Sequence, residues 1–361
     1  MTGGEKQQAR PTQEMLRLVA EIDEFKGAWR ALRGIAPERL TALRRVATIE
    51  SVGSSTRIEG VRLTNSEIEA LLSGLETHSF RSRDEEEVAG YAALMETIFE
   101  SWEHIPLSEN HVQQLHGILL RHSGKDERHR GRYKTLSNHV EAFGADGRSL
   151  GIVFETTSPF DTPRAMAELV AATREALEVR QVHPLLVIGA FVVRFLAIHP
   201  FQDGNGRLSR ALTTLLLLRA GYAYVPYASL ESVIEENKEA YYLALRRTQG
   251  TLNTPNPDDE PWLRFFLRAL HTQMTRLRAK VEREHLLESA RGALPELSLR
   301  ILEMARERGR VRASEVVALT GEARGTVRNR LNDLVARGLL ARHGSGPSTW
   351  YAAAPVVELP G

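Results

Sequence analysis

The chain has no cysteine among its 361 residues. That absence excludes disulfides, thiolate zinc sites and cysteine nucleophiles together, and it fits a reducing cytoplasm. An excess of charge is also missing: 47 Lys+Arg stand against 46 Asp+Glu, a formal net charge of +1. The whole-chain charge therefore points to neither nucleic acid nor membrane as a partner, and any such claim has to be local. No hydrophobic run is long enough to span a bilayer. The most apolar stretch, Leu185 to Ile198, is fourteen residues long and contains Arg194, short of the roughly 20 apolar residues that a spanning helix needs. It reads as a buried helix. The opening MTGGEKQQARPTQEM has no apolar core of the kind a secretory signal needs and reads as a solvated tail. A cytoplasmic protein with no membrane partner is expected.

What is present is enough apolar residue, 42%, to build real cores. The length suggests two or three domains. Apolar residues recur at three- and four-residue intervals over Glu14 to Gly34 and Pro37 to Ser51, as in amphipathic helices. The following SVGSSTRIEGVRLT breaks that rhythm at Gly53 and Gly60 and leaves a short helical piece between them. On it Ser55 and Glu59 share a face, about 5–6 Å apart. Thr64 and Glu67 offer a capping box. Further helices are expected over Asp84 to Trp102, from Ser108 through Leu120, over Pro163 to Arg180 and over His183 to Ile198. Two more follow, at Leu208 to Ala220, closed by a left-handed Gly221, and at Ser229 to Gln249, running through Asn237 and Tyr241. HVEAFGADGRSLGIVFE reads as a β-hairpin, with an irregular loop as the alternative. TLNTPNPDDEP is the clearest linker, followed by a charged helix from Trp262 to Ser289. Helical patterns at 297–308, 313–320 and 323–337, then a strand-like Leu339 to Tyr351 broken by Gly-Ser-Gly-Pro, make a winged helix-turn-helix. The expected division is a helical N-terminal region over 1–105, a core over 106–250, a linker and helix over 251–292, and a winged-helix domain over 293–361.

The chemistry concentrates in HPFQDGNGRLSR, His199 to Arg210. Gly204, Asn205 and Gly206 lead into a helix, and two glycines let backbone N–H groups converge into an anion-binding nest at its N-terminus. Arg207 and Arg210, three residues apart, can both turn toward one anion, and a guanidinium matches phosphate oxygens in a bidentate way. Asp203 is a natural magnesium ligand alongside phosphate oxygens. His199 can remove a hydroxyl proton, help worth roughly 10²–10⁴ in rate. Phe201 packs into the core and pins the loop. Singly, each residue has a bland reading, a helix cap for His199 and a plain turn for Gly-Asn-Gly. Together they make a phosphate site with a base beside it. The spacing is not that of a P-loop.

This motif resembles that of the Fic (filamentation induced by cAMP) proteins, His-x-Phe-x-Asp/Glu-Gly-Asn-Gly-Arg-x-x-Arg, at every fixed position, and the resemblance runs from about Thr41 to Gln249. It implies a mainly α fold with a Fic-type helical core and a small β-hairpin flap, followed by the winged helix. It also implies a protein adenylyltransferase, with ATP as co-substrate and Mg²⁺ as cofactor. His199 would deprotonate a Ser, Thr or Tyr hydroxyl of a target protein, which attacks the α-phosphate of ATP. Asp203 would hold Mg²⁺, Gly204, Asn205, Gly206 and Arg207 would cradle phosphates, and Arg210 would bind the γ-phosphate. Asn237 resembles the family's adenine contact, with Tyr241 or Tyr242 near the base. The hairpin, between Val140 and Phe154, resembles the flap along which a target segment lies as an added strand. Ser55-Thr-Arg-Ile-Glu59-Gly60 resembles the family's inhibitory motif, which implies that Glu59 pairs with Arg210 in place of the γ-phosphate. The resemblance leaves room for a homodimer.

Other functions stay open at this point: removal of AMP, transfer of UMP or phosphate by the same core, or a DNA-binding regulator using the core as a nucleotide sensor. Residues 293–361 hold ten arginines, no lysine and seven acids, a local charge of +3. Arg324, Arg328, Arg330 and Arg337 fall on or near the presumed recognition helix, and Arg342 and His343 in the wing. DNA binding and a protein-interaction module are equally compatible with that charge.

Overall fold

The computed structural model describes residues 11–31, 37–74, 80–124, 127–143, 149–291, 294–346 and 349–353; side chains at 31, 139–143, 149–153, 284–291, 306, 307 and 353 are left undescribed. Residues 1–10 of the expected tail, the Gly-Ala-Asp-Gly stretch at 144–147, Gly292 and Pro347 lie outside the described residues, while the last residues of that tail, Gln13 to Met15, are helical and Met15 is buried. The chain divides into two compact units, residues 1–275 and 276–361.

In the first unit, helices begin where the sequence offers caps. After α1 (Gln13–Ala31) and α2 (Pro37–Ile58), Thr64 opens α3 (Asn65–Ser73). Its hydroxyl accepts the Glu67 N–H, while the Glu67 carboxylate accepts the Thr64 N–H at 2.8 Å, the reciprocal arrangement of a capping box. Ser82 caps α4 (Arg83–Ser101), whose first turn carries Asp84, Glu85 and Glu86, and Ser108 caps α5 (Glu109–Leu119). Strands β1 (His139–Phe143) and β2 (Ser149–Glu155) form an antiparallel hairpin with Val140 opposite Phe154. There follow α6 (Thr162–Val179), α7 (Pro184–Ile198), α8 (Asn205–Arg219), α9 (Leu230–Glu236) and α10 (Lys238–Gln249). Helix α7 is apolar because α6 and α8 flank it and bury Leu185, Ile188, Phe191 and Phe195. The long α11 (Glu260–Arg291) starts in the first unit, where the Trp262 indole donates to the Gly189 carbonyl of α7 at 2.7 Å.

The second unit contains the end of α11, then α12 (Glu296–Arg308), α13 (Ala313–Thr320), α14 (Arg324–Ala336) and a two-stranded wing, β3 (Leu340–His343) paired with β4 (Trp350–Ala353). Gly321, at φ 73°, turns α13 into α14. Ile301, Val311, Val316, Val327, Leu331 and Leu334 form its core. This is a winged helix-turn-helix. No described helix is long and apolar enough to cross a membrane.

Four further expectations need correction. Helix α2 does not break at Gly53 but runs on to Ile58, because that glycine serves close packing: a Cβ would lie 2.6 Å from Arg57 Nη1 and 2.7 Å from Asn65 Oδ1. Glu59 is in the turn after it, not on a separate helical piece. The helix expected over Ser229 to Gln249 is broken at Asn237 (φ −113°, ψ 32°), whose amide side chain donates to the Val233 carbonyl at 2.8 Å and competes with helix continuation. The stretch read as a linker, 251–261, does not separate the units; Thr248 accepts the Trp262 N–H at 3.1 Å and Thr251 that of Asp258 at 2.9 Å.

Gly90 of α4 lies directly against the backbone of α5, where a Cβ would overlap the Leu119 carbonyl. Gly90→Ala is expected to destabilise the protein by about 1–3 kcal/mol in chemical denaturation, as overpacking does. Gly27→Ala, with nothing within 4 Å of its Cβ position, should not destabilise it.

Candidate active site at the junction of two buried helices

Helix α7 ends at His199, whose backbone is left-handed (φ 52°, ψ 60°). A non-glycine residue rarely sits there, and the turn swings the imidazole out of the apolar helix into the loop. His199 Nδ1 lies 3.3 Å from the Leu196 carbonyl, an arrangement that assigns Nδ1 as the donor and leaves Nε2 as an open acceptor. Burial pushes the imidazole down to about 4, with the neighbouring Lys134 ammonium adding to the effect; the Leu196 carbonyl, Glu59 and Asp203 oppose it. His199 is thus a neutral base at physiological pH.

The loop beyond it is braced from within. Phe201 is fully buried and stacks on His116, ring centroids 3.8 Å apart. Asn205 spends its side chain on the Phe201 backbone: Oδ1 accepts its N–H at 2.9 Å and Nδ2 donates to its carbonyl at 2.7 Å. Only the backbone N–H of Asn205 is therefore left for an anion. Gly204 (φ 79°) adopts the left-handed turn that starts α8. Asp203 Oδ1 accepts the Gly204 N–H at 2.6 Å, while Oδ2 faces Arg83 at 3.3 Å and the side chain keeps 37% of its surface exposed.

The two arginines do not turn toward one anion, contrary to their spacing. Arg207, 2% exposed, is held by Glu87 of α4 at 2.8 Å and approaches Asp203 at 3.4 Å. Arg210, 3% exposed, donates Nε to Ser55 Oγ at 2.8 Å, and Nη2 to the Ser55 carbonyl at 2.9 Å and to Glu59 Oε1 at 2.7 Å. Burial works against its charge, and the Glu59 carboxylate together with Tyr241 and Tyr91 more than offsets it. Glu59 also sits against the N-terminus of α8: a Cβ on Gly206 would overlap Glu59 Oε1. The carboxylate rests where the positive end of a helix favours an anion.

Tyr241 does not lie where a base could stack on it. It is buried, its hydroxyl in the field of Arg210 and its ring against Tyr242, Trp262 and Phe265. The adjacent Tyr242 is the exposed ring, at 39%. Asn237 marks the exposed joint between α9 and α10.

Residues 106–217 match the Fic/DOC family and residues 298–344 the IclR helix-turn-helix domain. The chain carries a Fic/DOC family domain. It is 26% identical over 258 residues to the protein adenylyltransferase Fic of Drosophila grimshawi, covering 69% of this chain and 47% of that protein. It spans about half the length of such Drosophila relatives. A crystal structure of a Fic family protein from Desulfovibrio desulfuricans G20 is 26% identical, with a TM-score of 0.58 over 95% of this chain and 96% of that one. A Fic domain containing signaling protein from Bacteroides thetaiotaomicron VPI-5482 has the same identity and TM-score over 71% and 95%.

Several groups around the Fic motif were not singled out in the sequence. Arg57, within the Ser55 to Glu59 segment, makes two hydrogen bonds to Glu235 of α9, at 2.7 and 3.0 Å, and Lys238 of α10 donates to the Ile58 carbonyl at 2.8 Å. Buried Tyr91 donates to Glu231 at 3.0 Å, and Lys134 is buried beside the His199 loop. Charged residues on helices with solvated neighbours carry no periodic signal that separates such roles from surface ones. Arg57 carries a faint sequence signal, since it stands between Ser55 and Glu59.

Asp203 also meets the demands of a magnesium ion. Among the described residues no three His, Asp or Glu side chains cluster as a protein cage. Asp203, a partly exposed carboxylate, is the residue that could hold an ion completed by phosphate oxygens.

The folded protein keeps His199 neutral down to about pH 4, while the unfolded chain protonates it near 6.5. Its contribution to stability is therefore complete above pH 6.5 and is lost as the pH falls from there toward 4. An NMR titration should place the imidazole near 4, and lower still in Glu59→Gly, because the carboxylate raises it. A midpoint at 6.5 would contradict this account.

Proposed function

We propose that this chain is a protein adenylyltransferase, transferring AMP from ATP to a Ser, Thr or Tyr hydroxyl of a target protein, and that Glu59 holds it inactive. The observation that carries the reading is the Glu59–Arg210 pair at 2.7 Å, in a loop that also presents a neutral histidine. His199 Nε2 takes the hydroxyl proton and the oxygen attacks the α-phosphorus. The bond to the bridging oxygen of the β-phosphate breaks, and pyrophosphate leaves. Backbone N–H groups at Asn205 to Arg207 receive phosphate oxygens, and Arg210 binds the γ-phosphate. Arg207, already engaged by Glu87, contributes its charge and keeps the loop in shape. Mg²⁺, held by Asp203 when bound, would neutralise phosphate charge. Asn237 and the exposed Tyr242 are the adenine side of the site. The hairpin carrying Val140 and Phe154 aligns the target by strand addition.

Glu59 occupies the anion position at α8 and takes the guanidinium that the γ-phosphate needs, so productive ATP binding requires the carboxylate to leave. The Arg57–Glu235 and Lys238–Ile58 contacts hold the segment in place from the side of the adenine joint.

A second reading concerns the winged helix, and the exposed arginines of α14 favour it. Arg324 and Arg328 are exposed and one helical turn apart, while Val327 and Leu331 face the core. Arg337, past the end of α14, pairs with Asp333 at 3.0 Å, and His343 stacks on Trp350 in the wing. We infer that this unit binds DNA with α14 in the major groove.

With ATP labelled at the α-phosphate, Glu59→Gly should raise automodification above wild type. His199→Ala in that background should remove it, a loss of roughly 10²–10⁴. Equal labelling of wild type and Glu59→Gly would refute the brake, and transfer only from γ-labelled ATP would make the enzyme a kinase. For the winged helix, an electrophoretic shift of duplex DNA that survives moderate salt and weakens in Arg328→Ala is expected. No shift even at low salt would leave the unit to a protein partner.

A further inference from the structure

Lys134 is 3% exposed, and among the described residues no carboxylate is bonded to it. A lysine so placed is costly unless its donors are satisfied. Its ammonium has three donors and makes three hydrogen bonds: to Asn138 Oδ1 at 2.8 Å, Thr156 Oγ1 at 2.9 Å and the Ile198 carbonyl at 3.0 Å. Those acceptors belong to three different segments. Asn138 immediately precedes β1, Thr156 immediately follows β2, and Ile198 is the last residue of α7, next to His199. The link is reinforced on both sides. Lys134 N–H donates to the Pro200 carbonyl at 2.8 Å, Asn138 Nδ2 donates to the Phe201 carbonyl at 2.7 Å, and Thr156 Oγ1 donates to the Asn138 carbonyl.

We propose that Lys134 is a positioning residue that fixes the two roots of the hairpin to the His199 loop, so that a hydroxyl carried on the hairpin is set at a defined distance from the base. The inference rests on the adenylyl-transfer reading. The nucleotide side of the site, Arg210 and the N-terminus of α8, is not bonded to Lys134. Losing the ammonium should therefore loosen the acceptor hydroxyl against His199 and leave ATP binding alone. A neutral side chain of similar length cannot replace it, since three oxygens would lose their shared donor. The same burial that isolates Lys134 lowers its pKa to about 8, and its charge helps to keep His199 neutral.

The test is made in the full-length Glu59→Gly protein, following the initial rate of automodification against ATP concentration. Lys134→Met should lower the maximal rate ~10-fold or more, as a small misplacement of reacting groups does, and leave the half-saturating ATP concentration within about twofold. Amide hydrogen exchange should rise together at Ile198, His199 and Phe201 and at Asn138 and Thr156. Thr156→Val, which frees only the hairpin side, should show the same split with a smaller loss, and it decides the matter if Lys134→Met does not fold. An unchanged maximal rate, or a loss that appears mainly in ATP affinity, overturns the inference. If Glu59→Gly with Lys134 intact transfers no label, it is the adenylyl-transfer reading that fails. The exchange measurement then stands alone: uncoupled responses at the loop and the hairpin roots overturn the link, and joint responses support it.

Discussion

A guanidinium as deeply buried as that of Arg210 has to be met by acceptors, because an uncompensated charge in a dry interior costs far more than any single contact returns. Ser55 supplies two of those acceptors through its hydroxyl and carbonyl, and Glu59 supplies the carboxylate. Much of the first unit follows from that demand. Helix α2 runs unbroken to Ile58 with Ser54, Ser55 and Thr56 buried, and the chain turns at once to bring Glu59 onto the end of α8. Gly206 makes room for it. An anion delivered by a ligand would meet the same demand, which is the physical basis of the proposed competition with Glu59.

The loop itself is organised by a division of labour between side chains and backbone. Asn205, Phe201, Arg207 and Gly204 all turn inward, toward the Phe201 backbone, His116, Glu87 and the left-handed turn. What remains is the N-terminus of α8 with Glu59 against it, a partly exposed Asp203 and the neutral imidazole of His199. Rigid support of this kind is what lets such groups act without reorganising. Lys134 extends the bracing to the hairpin, replacing what would be two independent segments with one connected by hydrogen bonds.

The winged helix is a separate compact unit with its own apolar core, and its surface keeps arginines exposed. Its modest local charge suits a module whose interactions rest on a few placed arginines more than on a broad electrostatic field.

Helix boundaries were legible in the sequence where a cap announced them, as at Thr64, Ser108 and Gly221, because capping is decided by residues within a few positions of one another. The motif from His199 to Arg210 was legible for the same reason: its residues are consecutive and its spacing is specific. The break at Asn237 and the continuity of α2 through Gly53 were not, since each depends on which neighbour occupies the space beside it. Nor could spacing tell that Arg207 belongs to Glu87 while Arg210 belongs to Glu59, or that Tyr241 is buried and Tyr242 exposed. By itself the sequence determined the local chemistry, a base, a carboxylate, a glycine nest and two arginines in one loop. Only the tertiary structure decided which anion each arginine holds and what lies beside the base, because partners 64 to 155 residues away along the chain, Lys134, Glu59 and Ser55, are brought there by packing.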